Sequence, residues 1–330
     1  MENILVIRIK SIGDVIFTLP AVNALREHFP AAKITFLTAK ENSTLLRGFE
    51  AVNETIALDR GALRGGNPVK MGREFFGLLY RLRAARFSLV VDFQGFGETA
   101  WLCRITGAPR RWGSVYGPGR RWAYTRGLVR NEKVHPANWN LELLAGCGVD
   151  CRRPGNQFSL PADARAAARA CFSANSLDQE KPTLVIQPLT STAQKNWPLG
   201  SFLAVAHHWR AAGVQVIFVG GPADDSPLEP ARQAGFPVVT DLPLLGSAGL
   251  VQLSALMLGG DSGLGHLAVA LGRQVIMLMR HANPGACFPF QHSDWAVLPA
   301  RPNHIEEIGV PVVLAETARV LNPLIRSVSC

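Results

Sequence analysis

Short β-branched runs alternate with amphipathic stretches along most of this chain, and the alternation occurs twice. Ile4–Ile9, Ile34–Thr38, Thr55–Leu58 and Leu89–Phe93 read as strands, with helical spacing near 19–28, 41–48, 70–84 and 137–146. In the first helical stretch Pro20 suits an opening turn, and Val22, Leu25 and Phe29 recur on one face. Around 151–181 the pattern lapses into an Arg152–Gly155 turn, an Ala-rich helix at 162–171 and an exposed linker, Asp178–Pro182. It then resumes with strands at Thr183–Gln187, Val214–Gly220, Pro237–Asp241 and Gln274–Met279. Helices are predicted at Leu199–Ala212, 250–256, Gly263–Leu271 and Val312–Leu321. Strands alternating with helices make parallel sheets covered on both faces. The predicted fold is therefore α/β, two Rossmann-like domains facing a central cleft, with boundaries at 1–175, 181–310 and 311–330. Ligands of such sheets sit beyond the carboxyl ends of the strands, so the chemistry belongs in the loops that follow them.

Several function classes drop out early. No uncharged apolar run approaches the ~20 residues of a membrane span. The opening Ile4–Ile7 run is soon interrupted by Arg8 and Lys10, unlike a signal peptide, so a cytoplasmic location is expected. The six cysteines have no zinc-ligand spacing and no nearby histidine partner, so no metal is expected. The net charge of +9 is concentrated: from Arg104 to Arg130 there is no acidic residue, and Arg60, Arg64, Lys70 and Arg73 flank the 65–68 stretch. Such fields draw phosphates, carboxylated sugars or an anionic membrane surface, although a solvated basic face looks the same in sequence. No nucleic-acid module accompanies them, so nucleic acid is not an expected partner.

Four loops stand out. Lys10-Ser11-Ile12-Gly13-Asp14 follows the first strand; Asp14 is either a helix cap or a general base at the cleft. Pro188 to Pro198 follows the first strand of the second half and offers Thr190, Ser191 and Lys195 at a helix start, suited to phosphate or to an ordinary polar turn. Gly220-Gly221-Pro222-Ala223-Asp224-Asp225 places acids beyond a strand end, where ribose or plain turn chemistry explains them. Gly260-Asp261-Ser262-Gly263-Leu264-Gly265-His266-Leu267-Ala268 is the sharpest. Small residues lead into a helix whose first amides are free, with Asp, Ser and His gathered beside them. No G-x-G-x-x-G follows the first strand, which argues against a dinucleotide dehydrogenase.

Taken together, these loops resemble glycosyltransferase family 9, the ADP-heptose:lipopolysaccharide heptosyltransferases, over nearly the whole chain. The resemblance rests on Ile4 to Asp14, Val91-Asp92-Phe93-Gln94-Gly95, His135 ahead of a Leu-rich helix, Lys195-Asn196-Trp197-Pro198 and Asp261-Ser262-Gly263-x-x-His266-Leu267-Ala268. It implies a GT-B architecture: an N-terminal acceptor domain, a C-terminal donor domain, and a last helix packing back on the first. It also implies an inverting, metal-independent transfer from a nucleotide sugar, expected to be ADP-heptose, to an anionic lipid-linked saccharide. No cofactor beyond that substrate is implied. By motif, Asp14 becomes the base, and Thr190, Ser191, Lys195, Asp261, Ser262, Gly263 and His266 hold the donor, with Asp225 at the ribose. Arg60, Arg64, Arg120 and Arg121 are the acceptor-binding candidates, and peripheral contact with the inner membrane through the basic face is a further expectation. Two departures bear on the donor side. The 244–261 segment is short, which predicts an abbreviated strand before Asp261, and Arg280 to Pro284 replaces a Phe-Gly-x-Thr-like turn. They motivate an alternative, a non-catalytic nucleotide- or glycolipid-binding scaffold; a nucleotide-sugar epimerase is a third reading.

Overall fold

The computed structural model describes residues 2–64, 68–152, 154–283 and 285–328. It divides into two compact units, Met1–Ser159 and Leu160–Cys330. The first holds β1 (Asn3–Ile7), β2 (Lys33–Ala39), β3 (Glu54–Leu58), β4 (Leu89–Asp92), β5 (Arg110–Val115) and β6 (Arg126–Val129). The second holds β7 (Thr183–Gln187), β8 (Gln215–Val219), β9 (Val238–Val239), β10 (Leu256–Gly260), β11 (Val275–Leu278) and β12 (Ala296–Val297). The sheet orders are β3-β2-β1-β4-β5-β6 and β12-β11-β10-β7-β8-β9, every pair parallel. Each unit is thus a doubly wound sheet whose order reverses once, between β1 and β4 and between β7 and β10. Side chains of the central strands are fully buried, including Ile4–Ile7, Leu184–Ile186 and Leu256–Leu258, as expected of strands covered on both faces.

The structure corrects three sequence expectations. The strand before Asp261 is not abbreviated: β10 is five residues long and pairs with both β7 and β11. The preceding helix begins at Leu244 rather than 250, and Leu245 to Val251 are buried all round, so the segment has no amphipathic period to reveal it. The unit boundary falls at 159–160, before the Ala-rich helix, instead of in the 175–181 linker. That helix, Ala162–Ala174, packs on Leu244–Leu253 in the second unit. The approach is close enough that a Cβ on Gly249 would lie 2.5 Å from Ala168 Cβ and 3.1 Å from the Ala164 carbonyl oxygen.

Strands β5 and β6 were not anticipated. Arg110-Arg111 and Arg126-Gly127 open them, and no apolar run betrays them; their pairing to β4 and to one another makes them strands. Residues Lys40–Gly48 form a 3₁₀ helix. The closing helix, Val310–Val328, packs chiefly on helix Leu199–Ala211, β10 and β11 of its own unit, where Trp209 Nε1 donates to Thr317 Oγ1 at 2.9 Å. Among the described residues no helix is long and apolar enough to cross a membrane.

Candidate functional site

Both order reversals carry charged loops, and these are the loops singled out in the sequence. In the first unit β1 runs into Arg8-Ile9-Lys10-Ser11, and a short helix, Ile12–Ile16, carries Asp14. Ser11 caps it from a strained backbone with φ of +38°, a region few non-glycine residues adopt. Its hydroxyl donates to Asp14 Oδ2 at 2.9 Å, while Arg8 Nη2 holds Asp14 Oδ1 at 2.7 Å. Both carboxylate oxygens are therefore oriented, and the group remains about 30% exposed at the mouth of the loop. Arg8 is itself anchored, Nη1 donating to the Phe93 carbonyl oxygen at 2.8 Å.

The loop after β4 forms the other wall. Gln94, almost fully buried, accepts the Ile9 and Lys10 amides on Oε1, both at 3.0 Å. Asp92 in turn accepts the Gln94 and Gly95 amides at 2.9 and 3.0 Å and the Tyr124 hydroxyl at 2.7 Å. Complete burial still raises its pKa above the ordinary carboxylate value, because these bonds and Thr99 offset only part of the desolvation. Tyr124 is pushed up by the same burial and by the neighbouring Asp92 charge. Arg130, which feels the charges of both Arg8 and Asp14, has its guanidinium 6.0 Å from the Tyr116 ring and 5.2 Å from Trp139, with a buried Nε that has no hydrogen-bond partner. Burial, with Arg8 adding to it, lowers the Arg130 pKa against the opposing pull of Tyr116, Asp14 and Glu132.

In the second unit the loops after β7 and β10 meet. Lys195 Nζ lies 2.6 Å from Asp261 Oδ2, and His266 Nε2 lies 3.0 Å from Oδ1. Burial pushes the Asp261 carboxyl up, but the hydrogen bonds and charges of His266 and Lys195 outweigh it and bring it down to about 2. Ser262 caps helix Gly263–Ala270 by accepting the Gly265 amide at 3.1 Å, and its hydroxyl donates to Gln187 Oε1 at 2.7 Å. Thr190 donates through both its amide and its hydroxyl to Asn196 Oδ1, which folds the 188–196 loop down onto β10. The fit needs glycine: a Cβ on Gly260 would lie 2.8 Å from Thr190 Cγ2 and 2.9 Å from the Lys195 carbonyl oxygen. Lys195 and Asp261 line a cavity of about 230 Å³ that is completed by Met279, Arg280, His281 and Asn283, so the unusual 280–283 turn forms its wall (Pro284 lies outside the described residues). A lysine ammonium has three donors; Asp261 takes one, and the side chain is 35% exposed toward that cavity.

The structure thus gathers Thr190, Lys195, Asp261, Ser262, Gly263 and His266 at one order reversal, with Ser191 exposed on the same loop. Asp225 stands apart, beyond β8, where Arg232 and Thr240 Oγ1 hold its Oδ1, the latter at 2.7 Å. In the first unit Arg120 Nη1 donates to the Gly95 carbonyl oxygen at 3.2 Å, Arg60 pairs with Glu41 at 3.4 Å, and Arg121 is exposed. The Arg64 side chain lies outside the described residues. Sequence reasoning did not single out Arg8, Gln94 or Arg130. Each still carried a signal: Arg8 ends an apolar run six residues before Asp14, Gln94 lies in the 91–95 motif, and Arg130 closes the acid-free 104–130 stretch.

A sequence profile of glycosyltransferase family 9 (heptosyltransferase) matches residues 76–307, well over half of the chain. The chain belongs to glycosyltransferase family 9. It is 26% identical over 279 residues to lipopolysaccharide heptosyltransferase 3 of Escherichia coli, spanning 81% of this chain and 80% of that one. The fold matches the family 9 glycosyltransferase of Veillonella parvula with a TM-score of 0.84 at 20% identity, covering 99% and 97% of the two chains. It also matches E. coli heptosyltransferase WaaC with ADP-2-deoxy-2-fluoro heptose, with a TM-score of 0.76 at 20% identity over 96% and 99%. The protein is therefore a heptosyltransferase-like glycosyltransferase with a GT-B fold.

Proposed function

We propose that the protein transfers heptose from ADP-heptose, with inversion and without a metal, to an anionic saccharide of the lipopolysaccharide inner core. One observation carries this reading. Each unit presents, at its order reversal, one half of the machinery for a single displacement: an oriented carboxylate, Asp14, and a cationic diphosphate seat at Lys195 and the start of helix Gly263–Ala270. The names of the relatives, one a lipopolysaccharide heptosyltransferase and one solved with an ADP-heptose analogue, support the donor and acceptor.

In this reading the acceptor oxygen forms its bond to the sugar's anomeric carbon as the bond to the diphosphate breaks on the opposite face. The hydroxyl proton passes to Asp14, and ADP leaves with the electron pair. Negative charge grows on the diphosphate, where Lys195 and the amides of Gly263 and its neighbours stabilise it as oxyanion-hole donors do. Asp261 and His266 aim the ammonium, Ser191 supplies a hydroxyl, Thr190 adds its own when that hydroxyl turns from Asn196 Oδ1 to the diphosphate, and Ser262 secures the helix start. Asp225 at the ribose is a separable part of the proposal, since its carboxylate already serves Arg232 and Thr240. Arg60, Arg64, Arg120 and Arg121 are assigned to the acceptor's phosphate or carboxylate, with Arg130 as a further cation of the same unit. The scaffold alternative loses its motive, because β10 is complete and the 280–283 turn lines a cavity instead of filling it.

Calorimetric titration with ADP, UDP and GDP, each with and without EDTA, tests the donor side. ADP should bind selectively and unchanged by EDTA, and Lys195→Ala should weaken it by about tenfold or more, the loss of one charge-assisted contact of ~1.5–3 kcal/mol. Equal binding of all three nucleotides, or no effect of Lys195→Ala, would refute the assignment.

A further inference from the structure

Beyond β11 the chain enters the turn in which it departs from the family pattern, and Arg280 opens that turn. Gly260 pairs with Leu278 across β10 and β11. Arg280 therefore lies two residues past the end of one strand, as Asp261 lies one past the end of its neighbour. Ligands of doubly wound sheets sit at such ends. Arg280 and Lys195 both line the cavity of about 230 Å³.

The charges on that cavity do not balance. Lys195 shares its charge with Asp261 at 2.6 Å, whereas Arg280 has no acidic partner among the described residues. The sequence offers none nearby, since no Asp or Glu occurs between Asp261 and Asp294. Two cations on the walls of one small cavity repel each other, and an anion between them replaces that repulsion with attraction.

The guanidinium is also aimed. Its Nε donates to Asn303 Oδ1 at 3.0 Å, and the Asn303 amide donates to the Arg280 carbonyl oxygen at 2.6 Å. Asn303 does this from a φ of +71°, in the left-handed region that few residues other than glycine adopt. Strain of this kind clusters at sites where the surroundings must fix a functional group. The backbone bond already joins the two loops, so what the side-chain bond adds is the direction of Arg280. An arginine has five N–H donors. With Nε spent on Asn303, both terminal nitrogens keep theirs for a planar, two-pronged contact, the geometry that phosphate oxygens match.

We propose that Arg280, held by Asn303, is a second cation of the donor seat and grips the diphosphate together with Lys195. The statement rests on the donor site proposed above and changes what that site offers. The leaving anion meets an unshared full charge in addition to the Lys195 ammonium and the helix amides. A neutral sugar ring gives Arg280 no counter-charge, so the diphosphate is the part of the donor that it fits.

Calorimetric titration of the full chain and its variants with ADP, UDP and GDP tests it. Arg280→Ala should weaken ADP binding by about tenfold or more, the loss of a charge-assisted contact. Its melting temperature should match the parent's, because the side-chain bond it removes is exposed. Arg280→Lys keeps the charge and loses the fork, and its affinity should fall between that variant and the parent. Asn303→Gly suits the left-handed backbone and removes only the side chain that aims Arg280; it should weaken ADP by a smaller factor. An ADP affinity unchanged in Arg280→Ala, or unchanged in both Arg280→Lys and Asn303→Gly, overturns the proposal. So does a loss confined to ADP-heptose, which would place Arg280 at the sugar. If Lys195→Ala weakens ADP binding and Arg280→Ala does not, the donor seat stands without Arg280. If UDP or GDP binds in place of ADP and both alanine variants weaken it, Arg280 keeps its role and the ADP assignment fails. No binding of any of the three removes both readings.

Discussion

Asp261 offers the most quantitative check on how the loops after β7 and β10 are held together. Its carboxyl sits at about 2 against an ordinary 3.8, despite a burial that pushes it upward, because Lys195 and His266 grip both oxygens. A folded-state pKa below the unfolded one contributes stability that is present above the unfolded value and is lost as pH falls through the folded value. The window therefore runs from about pH 4 down to about pH 2. At 1.36 kcal/mol per unit, the full contribution is about 2 kcal/mol, of which about 1 kcal/mol is gone by pH 3. Asp261→Asn keeps the shape and removes the titration. Urea denaturation of both proteins at about pH 5 and pH 3, followed by tryptophan fluorescence, should show the parent's advantage over the variant shrinking by about 1 kcal/mol. Other carboxylates titrate in both proteins and cancel in the difference. An advantage that stays constant, or grows as pH falls, would refute the claim that Lys195 and His266 stabilise the ionised form.

Two further outcomes follow from the same geometry. Asp14→Asn should lower kcat by ~10²–10⁴ while the ADP affinity, measured by calorimetry, stays within about twofold; donor binding that collapses with kcat would remove Asp14 from the role of base. Gly260→Ala should destabilise by ~1–3 kcal/mol in thermal or urea unfolding and weaken ADP binding, because the new methyl meets Thr190 and the Lys195 backbone; a neutral effect on both would mean that the 188–196 loop does not lie on β10 as described.

Much of the candidate site in the second unit was legible before the fold was known. Lys195 and the Asp261–His266 run announced themselves as small and charged residues at a strand-to-helix junction, a local pattern that turn and capping chemistry makes readable. The strands with unbroken apolar runs were equally plain. Where local pattern failed, packing had replaced it. Helix Leu244–Leu253 is buried on every side and shows no period, and β5 and β6 begin with arginines and are strands by virtue of their pairing with β4 and with each other.

What the sequence by itself determined was the alternation of strands and helices, two parallel sheets, and which loops hold the charged and small residues of the candidate site, since each follows from spacing and residue type within some ten positions. What only the tertiary structure decided was which loops meet. Arg8 grips Asp14 from an anchor on Phe93, Gln94 holds the Ile9 and Lys10 amides from 84 and 85 residues away, and Lys195 reaches Asp261 across 66. Those pairings exist because both sheets reverse their strand order at β1–β4 and at β7–β10. Strand order is a matter of long-range pairing, on which local periodicity carries no information.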